Sequence, residues 1–148
     1  MINLRSVISF LFFCFLFSCA SKQSKQFITA DSVSVNAFSS SVELLITDLN
    51  FLEDEILKIN AKNPSVQRIL VNSDAYLKSG KLIQANSELE RALRITKEEG
   101  AIYLRLAHLR LMQGLVGESK SFASKALLVK DISSWERLLL NVYLKSPR

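Results

Sequence analysis

Leu70-Val71-Asn72-Ser73-Asp74-Ala75-Tyr76-Leu77-Lys78-Ser79-Gly80-Lys81-Leu82-Ile83-Gln84-Ala85 is followed, 34 residues on, by Leu104-Arg105-Leu106-Ala107-His108-Leu109-Arg110-Leu111-Met112-Gln113-Gly114-Leu115-Val116-Gly117-Glu118-Ser119. Leu70 matches Leu104, Leu77 matches Leu111 and Gly80 matches Gly114. At the same offset Ser87, Ala92 and Leu93 match Ser121, Ala126 and Leu127. Similar residues fill the gaps: Leu82 with Val116, Ala85 with Ser119, Arg91 with Lys125, Ile95 with Val129. A constant offset of this length marks one supersecondary unit used twice. Within each copy the apolar residues recur three or four apart, the period of a helix. Gly80 and Gly114 can adopt the left-handed conformation that ends a helix, so each copy predicts two helices joined by a glycine turn. Ala85, Ala92, Ala107, Ala123 and Ala126 are small enough for those helices to pack closely.

Single units of this kind cannot bury their apolar faces, and about three must stack. The flanks supply the rest. Val42, Leu45, Ile46, Leu49, Leu52, Ile56 and Ile59 fall three or four apart and predict one amphipathic helix of about 19 residues. It stops near Asn60-Ala61-Lys62-Asn63-Pro64 and makes residues 42–64 an N-terminal cap. Gly100, after Lys97-Glu98-Glu99, predicts another helix end. Ser134-Trp135-Glu136-Arg137-Leu138-Leu139-Leu140-Asn141-Val142-Tyr143-Leu144 predicts a closing helix, so that residues 65–146 hold the repeats, about 66–99 and 100–133, and a C-terminal cap. The scarcity of Gly (4) and Pro (2) argues against a sandwich or barrel, which needs many turns. The expected fold is all-α, with about six helices.

The register resembles the tetratricopeptide repeat. Ala75 to Ala85 is similar to the end of a first helix, its turn and the entry of a second; Leu89, Ala92 and Leu93 then match the buried stripe. In the second copy Tyr103, Leu106, Ala107, Gly114, Val116, Ala123, Ala126 and Leu127 follow in step. Lys97 and Asp131 stand where the family usually has Pro, Ser119 replaces a small Ala, and Arg110 sits where an aromatic is common. The resemblance implies a short right-handed α-solenoid in which the first helix of each repeat lines a concave groove. Carried over by register, the groove residues are Gln67, Leu70, Asp74, Leu77 and Lys78, then Ala101, Leu104, His108, Leu111 and Met112, then Trp135, Leu138 and Val142. So apolar a groove reads as a site for a partner helix or peptide. A second reading is that the groove is filled from within, by the preceding segment or helix 42–61, or that these are ordinary core residues.

The front of the chain reads as an address. After Arg5, residues Val7 to Phe17 form an apolar run of 11. As a helix it spans ~16 Å, too short for a ~30 Å bilayer core but suited to a signal peptide, here residues 1–18. Leu16-Phe17-Ser18-Cys19 resembles a bacterial lipobox, with Phe17 bulkier than usual. That resemblance implies diacylglycerol on the Cys19 sulfur and cleavage before it. With Ala20 rather than Asp next, it implies the periplasmic face of the outer membrane. Residues 19–41, rich in Ser, read as a flexible tether. Together with the repeats the chain resembles small repeat lipoproteins of Gram-negative bacteria.

Cleavage would remove Arg5, leaving 18 basic residues against 14 acidic ones, a formal +4 with no basic block. Nucleic-acid binding is therefore not expected. Cleavage would also remove Cys14, and lipidation would consume Cys19, leaving no thiol to pair. No phosphate loop, Gly-x-Gly-x-x-Gly, Cys-x-x-Cys or Ser-x-x-Lys occurs, and no cofactor or metal is expected. His108 is the sole histidine, more in keeping with a groove contact than a catalytic base. Glu53, Asp54, Glu55, Glu88 and Glu90 are expected on solvent faces, which argues against a paired-acid hydrolase. The expected function is a non-enzymatic envelope adaptor, held to the membrane by its lipid and binding a protein or peptide. The alternative is a pilotin-like helper or structural subunit of a single secretion, pilus or envelope complex.

Overall fold

The computed structural model describes residues 35–145, and these are all-α, with no strand among them. The proposed signal, Cys19 and the first part of the expected tether lie outside the described residues. Seven helices follow in order: α1 Val35–Thr47, α2 Leu49–Leu57, α3 Pro64–Lys78, α4 Leu82–Ile95, α5 Gly100–Met112, α6 Val116–Leu127 and α7 Ser134–Lys145. The closest pairings join α3 with α4 and α5 with α6, the two hairpins expected from the repeat; α7 packs on both α5 and α6.

The turns of the two hairpins share their glycine geometry and their helix-ending backbone bonds. Gly80 and Gly114 have φ of 68° and 76°. Lys81 N–H donates to Tyr76 C=O at 2.9 Å, and Leu115 N–H to Arg110 C=O at 2.8 Å. Gly80 N–H donates to Leu77 C=O and Gly114 N–H to Leu111 C=O, each at 2.9 Å. These bonds satisfy the last carbonyls of α3 and α5, and only glycine adopts that φ without steric cost.

Three features differ from the sequence expectation. The helix expected over 42–61 is two helices, because Asp48 is extended (φ −114°, ψ 111°). Its carboxylate accepts from Asn50 N–H at 2.9 Å and Phe51 N–H at 3.2 Å, so it caps α2 instead of continuing α1. Helix also begins at Val35, within the expected tether, because Leu45 of α1 is buried with α2, α5 and α7 and gives that segment something to pack on. Gly100 opens α5 rather than closing α4. A Cβ there would lie 2.6 Å from Glu136 Oε1 and 3.0 Å from Ile132 Cγ2, so the position serves close approach. Glu136 is itself engaged in the cap of α7, its Oε2 accepting from Ser133 N–H at 2.8 Å while Ser133 Oγ accepts from Glu136 N–H at 3.1 Å.

The core has two parts, divided by α5. Tyr103, Leu104 and Ala107 face Leu45, Leu52, Ile56, Leu139, Leu140 and Tyr143. Ala101, Ile102, Leu106 and Leu109 face Val66, Ile69, Leu70, Leu77, Ala85, Leu89 and Ala92. A helix buried on all sides needs apolar residues all round, which is why α5 lacks a polar stripe over Gly100 to Leu109. Ala92 and Ala126 are both fully buried, one in each part. Ala92→Leu and Ala126→Leu are each expected to cost ~1–3 kcal/mol by overpacking. Thermal circular dichroism should show a melting temperature several degrees lower for each; unchanged curves would contradict the packing described.

Candidate functional site

With α5 enclosed, its polar side chains need partners inside the protein. Arg105 has none of its surface exposed. Its Nε donates to Asp74 Oδ1 at 2.6 Å and its Nη2 to Asp74 Oδ2 at 2.8 Å, a two-pronged pair between α5 and α3. The same guanidinium donates to the carbonyls of Ile59 at 3.0 Å, Leu57 at 3.3 Å and Ala101 at 3.2 Å. The chain leaving α2 is thus held by its carbonyls. It is held by its N–H groups as well: the buried Glu99 carboxylate accepts from Lys62 N–H at 3.0 Å and Asn63 N–H at 2.8 Å. Gln67 adds a third grip, accepting from Ala61 N–H and donating to Asn60 Oδ1.

One turn along α5, His108 joins three helices. Its Nδ1 lies 3.1 Å from the Tyr143 hydroxyl of α7, and its Nε2 lies 3.5 Å from Glu53 Oε2 of α2, long for a hydrogen bond. With a carboxylate on the Nε2 side, the network assigns the proton to Nε2 and leaves Nδ1 to accept from the Tyr143 O–H. The approach of the His108 Nε2–H holds the Glu53 carboxyl below its ordinary value; partial burial opposes this, and the charge of Lys78 adds to it. Burial pushes the Tyr143 hydroxyl well above its ordinary value, and the Glu53 charge adds to that.

These contacts revise the expected groove. Leu70, Leu77 and Leu104 are buried core residues, and Ala101 and His108 are enclosed with them. Asp74 is half-buried and committed to Arg105. Leu111, Trp135, Leu138 and Val142 are half-buried against the core. Only Lys78 and Met112 of the expected groove residues stand exposed. The causes differ: Leu104 is covered by Leu52 and Ile56 of α2, while Leu70 and Leu77 are packed against Ala85, Leu89 and Ala92 of α4 and against α5. Glu53 is not on a solvent face, because the α2 edge that carries it turns toward His108. Arg105 and Glu99 escaped the sequence reading. The available signal was a charged residue in the middle of a segment otherwise apolar on every side.

One apolar cleft stays open, between α1 and α7. It holds about 290 Å³ and is lined by Val42, Ile46, Leu138, Asn141, Val142 and Lys145. No three His, Cys, Asp or Glu side chains among the described residues are grouped to hold a metal ion. No helix among those residues is long and apolar enough to cross a membrane. Comparison of the chain with models of known protein families, with curated proteins and with solved structures found no match in any of the three.

Proposed function

We propose that this chain is a lipid-anchored adaptor of the bacterial envelope, a short helical solenoid of tetratricopeptide type held at the periplasmic face of the outer membrane through Cys19. The observation that carries the scaffold reading is the repeated turn: Gly80 and Gly114, 34 residues apart, have matching φ and matching hydrogen bonds. The anchor reading rests on Leu16-Phe17-Ser18-Cys19. Because Leu52 and Ile56 of α2 cover the side of α5 that carries Leu104, a protein partner docks on what the hairpins leave exposed. The best candidate is the edge at the ends of the first helices, where Lys78, Met112 and Leu115 lie; Met112 and Leu115 are 41% and 43% exposed. Arg105 and His108 act there as structural groups, not catalytic ones, since each is enclosed and bonded to other helices.

Two measurements test this. Cys19→Ala is expected to abolish incorporation of labelled palmitate and leave the signal uncleaved; normal processing with unchanged membrane fractionation would overturn the anchor. Met112→Glu is expected to weaken recovery of the envelope partner ~10-fold or more while the melting temperature stays within a few degrees, since burying one large apolar side chain contributes ~1.5–3 kcal/mol. Full recovery by a folded Met112→Glu protein would place docking elsewhere.

A further inference from the structure

The cleft between α1 and α7 is unexplained by the adaptor reading and is independent of it. Val42 and Ile46 form one wall, a single turn of α1; Leu138 and Val142 form the other. Leu138 and Val142 also pack against the core, so the cleft has a fixed apolar floor. Its polar groups stand on one edge only, Asn141 and Lys145, one helical turn apart on α7. The Asn141 amide donates to Arg137 C=O at 2.8 Å, which fixes that side chain at the rim. Among the described residues no carboxylate pairs with the exposed Lys145. Phe38, four residues before Val42 and 45% exposed, extends the apolar wall along the same face of α1.

The dimensions select the occupant. Helices α1 and α7 are in contact, and packed helices lie ~8–10 Å apart, whereas a helix with its side chains is ~10–12 Å across. The cleft is a half-open seam along that pair, and so small an opening suits one hydrocarbon chain better than the flank of a third helix. Leu138 to Lys145 spans ~10 Å of helix, and the volume of about 290 Å³ equals that of ~10 waters at ~30 Å³ each. That is room for part of a single acyl chain, not for a pair. A ligand with an apolar tail and an anionic head matches both the walls and the lone cationic edge.

We propose that the α1–α7 cleft binds one acyl chain of a single-chain amphiphile, with the anionic head at Lys145. The test is photolabelling of the full chain with a diazirine derivative of dodecanoic acid, the labelled residues then mapped by mass spectrometry. Label is expected on α1 around Val42 and Ile46 and on α7 from Leu138 to Lys145, competed by unlabelled dodecanoate. Val142→Phe, which fills the cleft with apolar volume, is expected to reduce that label several-fold. Lys145→Glu, an exposed change that leaves the walls intact, is expected to lower dodecanoate affinity about tenfold and leave dodecanol affinity unchanged. Should Val142→Phe fail to fold, the Lys145→Glu contrast between acid and alcohol decides the matter alone. Label confined to residues 1–34, label spread over the surface, or equal loss of acid and alcohol binding would each overturn the proposal. So would crosslinking between two copies at the cleft that dodecanoate does not displace, since a second molecule would then be the occupant.

Discussion

Replacing Arg105 with Met is expected to lower the melting temperature by roughly 10–20 °C, since breaking a buried ion pair typically costs ~3–5 kcal/mol in a domain of this size. The loss has two parts. Asp74 is stranded, and the carbonyls of Leu57 and Ile59 lose the donor that holds the end of α2. Asp74→Leu is expected to be the worse single change. It leaves a guanidinium with no exposed surface and no counter-charge, whereas Asp74 keeps some contact with water. The double change Arg105→Met with Asp74→Leu is expected to cost less than the sum, because neither charge is then left alone. Arg105→Lys is not a rescue: an ammonium cannot reach both carboxylate oxygens and two carbonyls on different segments in one plane. Arg91→Met supplies the control. Its contact with Glu88 is 3.6 Å, too long for a hydrogen bond, the Arg91 side chain is largely exposed, and such surface pairs contribute ~0–1 kcal/mol. An Arg105→Met protein that melts within a few degrees of the parent would mean that α2 is not fastened as described.

This pair also marks the limit of what the sequence discloses. Periodicity and the 34-residue offset depend on local spacing, so the two hairpins, their glycine turns and the buried Ala92 and Ala126 were readable from residues alone. The site was not, because it depends on what covers the concave face. Leu104 has the same spacing whether it faces a groove or a helix lying in it. Only the path of α2 separates the two cases. That path is set by Asp48, whose capping of α2 breaks the expected helix, and by Arg105 of α5 and Glu99 at its N-cap, which grip residues 57–63. The contacts of Arg105 and Glu99 with that segment join residues 36 to 48 positions apart and leave no periodic trace. Cys19 has the opposite character: its signal is entirely local, and it lies outside the described residues.

The Glu53–His108–Tyr143 chain should give the fold two pH limits, one at each end. Glu53 titrates below its ordinary value of 4.5 in the folded chain, chiefly through the His108 Nε2–H that approaches it at 3.5 Å. Its contribution is therefore complete above about pH 4.5, the unfolded value, and is lost as pH falls through the folded one. Tyr143 is displaced upward by burial from its ordinary value of 10.0. The folded state keeps the phenol proton after the unfolded chain has released it, so stability is complete below about pH 10 and falls as pH rises beyond it. Each limit has its own variant. Glu53→Gln is expected to destabilise the protein at pH 7, with the gap from the parent narrowing as pH drops below 4.5. Tyr143→Phe leaves the His108 Nδ1 buried without a donor, a loss of ~1–3 kcal/mol at pH 7. Above pH 10 the parent weakens and the Phe variant does not, so the two stability curves should converge from opposite ends of the scale. Urea unfolding of the three proteins between pH 3 and 11 reads this directly. Parallel curves for parent and Tyr143→Phe above pH 10 would mean that the hydroxyl is not enclosed between α5 and α7. Parallel curves for parent and Glu53→Gln below pH 4.5 would mean that α2 is held to α5 without the carboxylate.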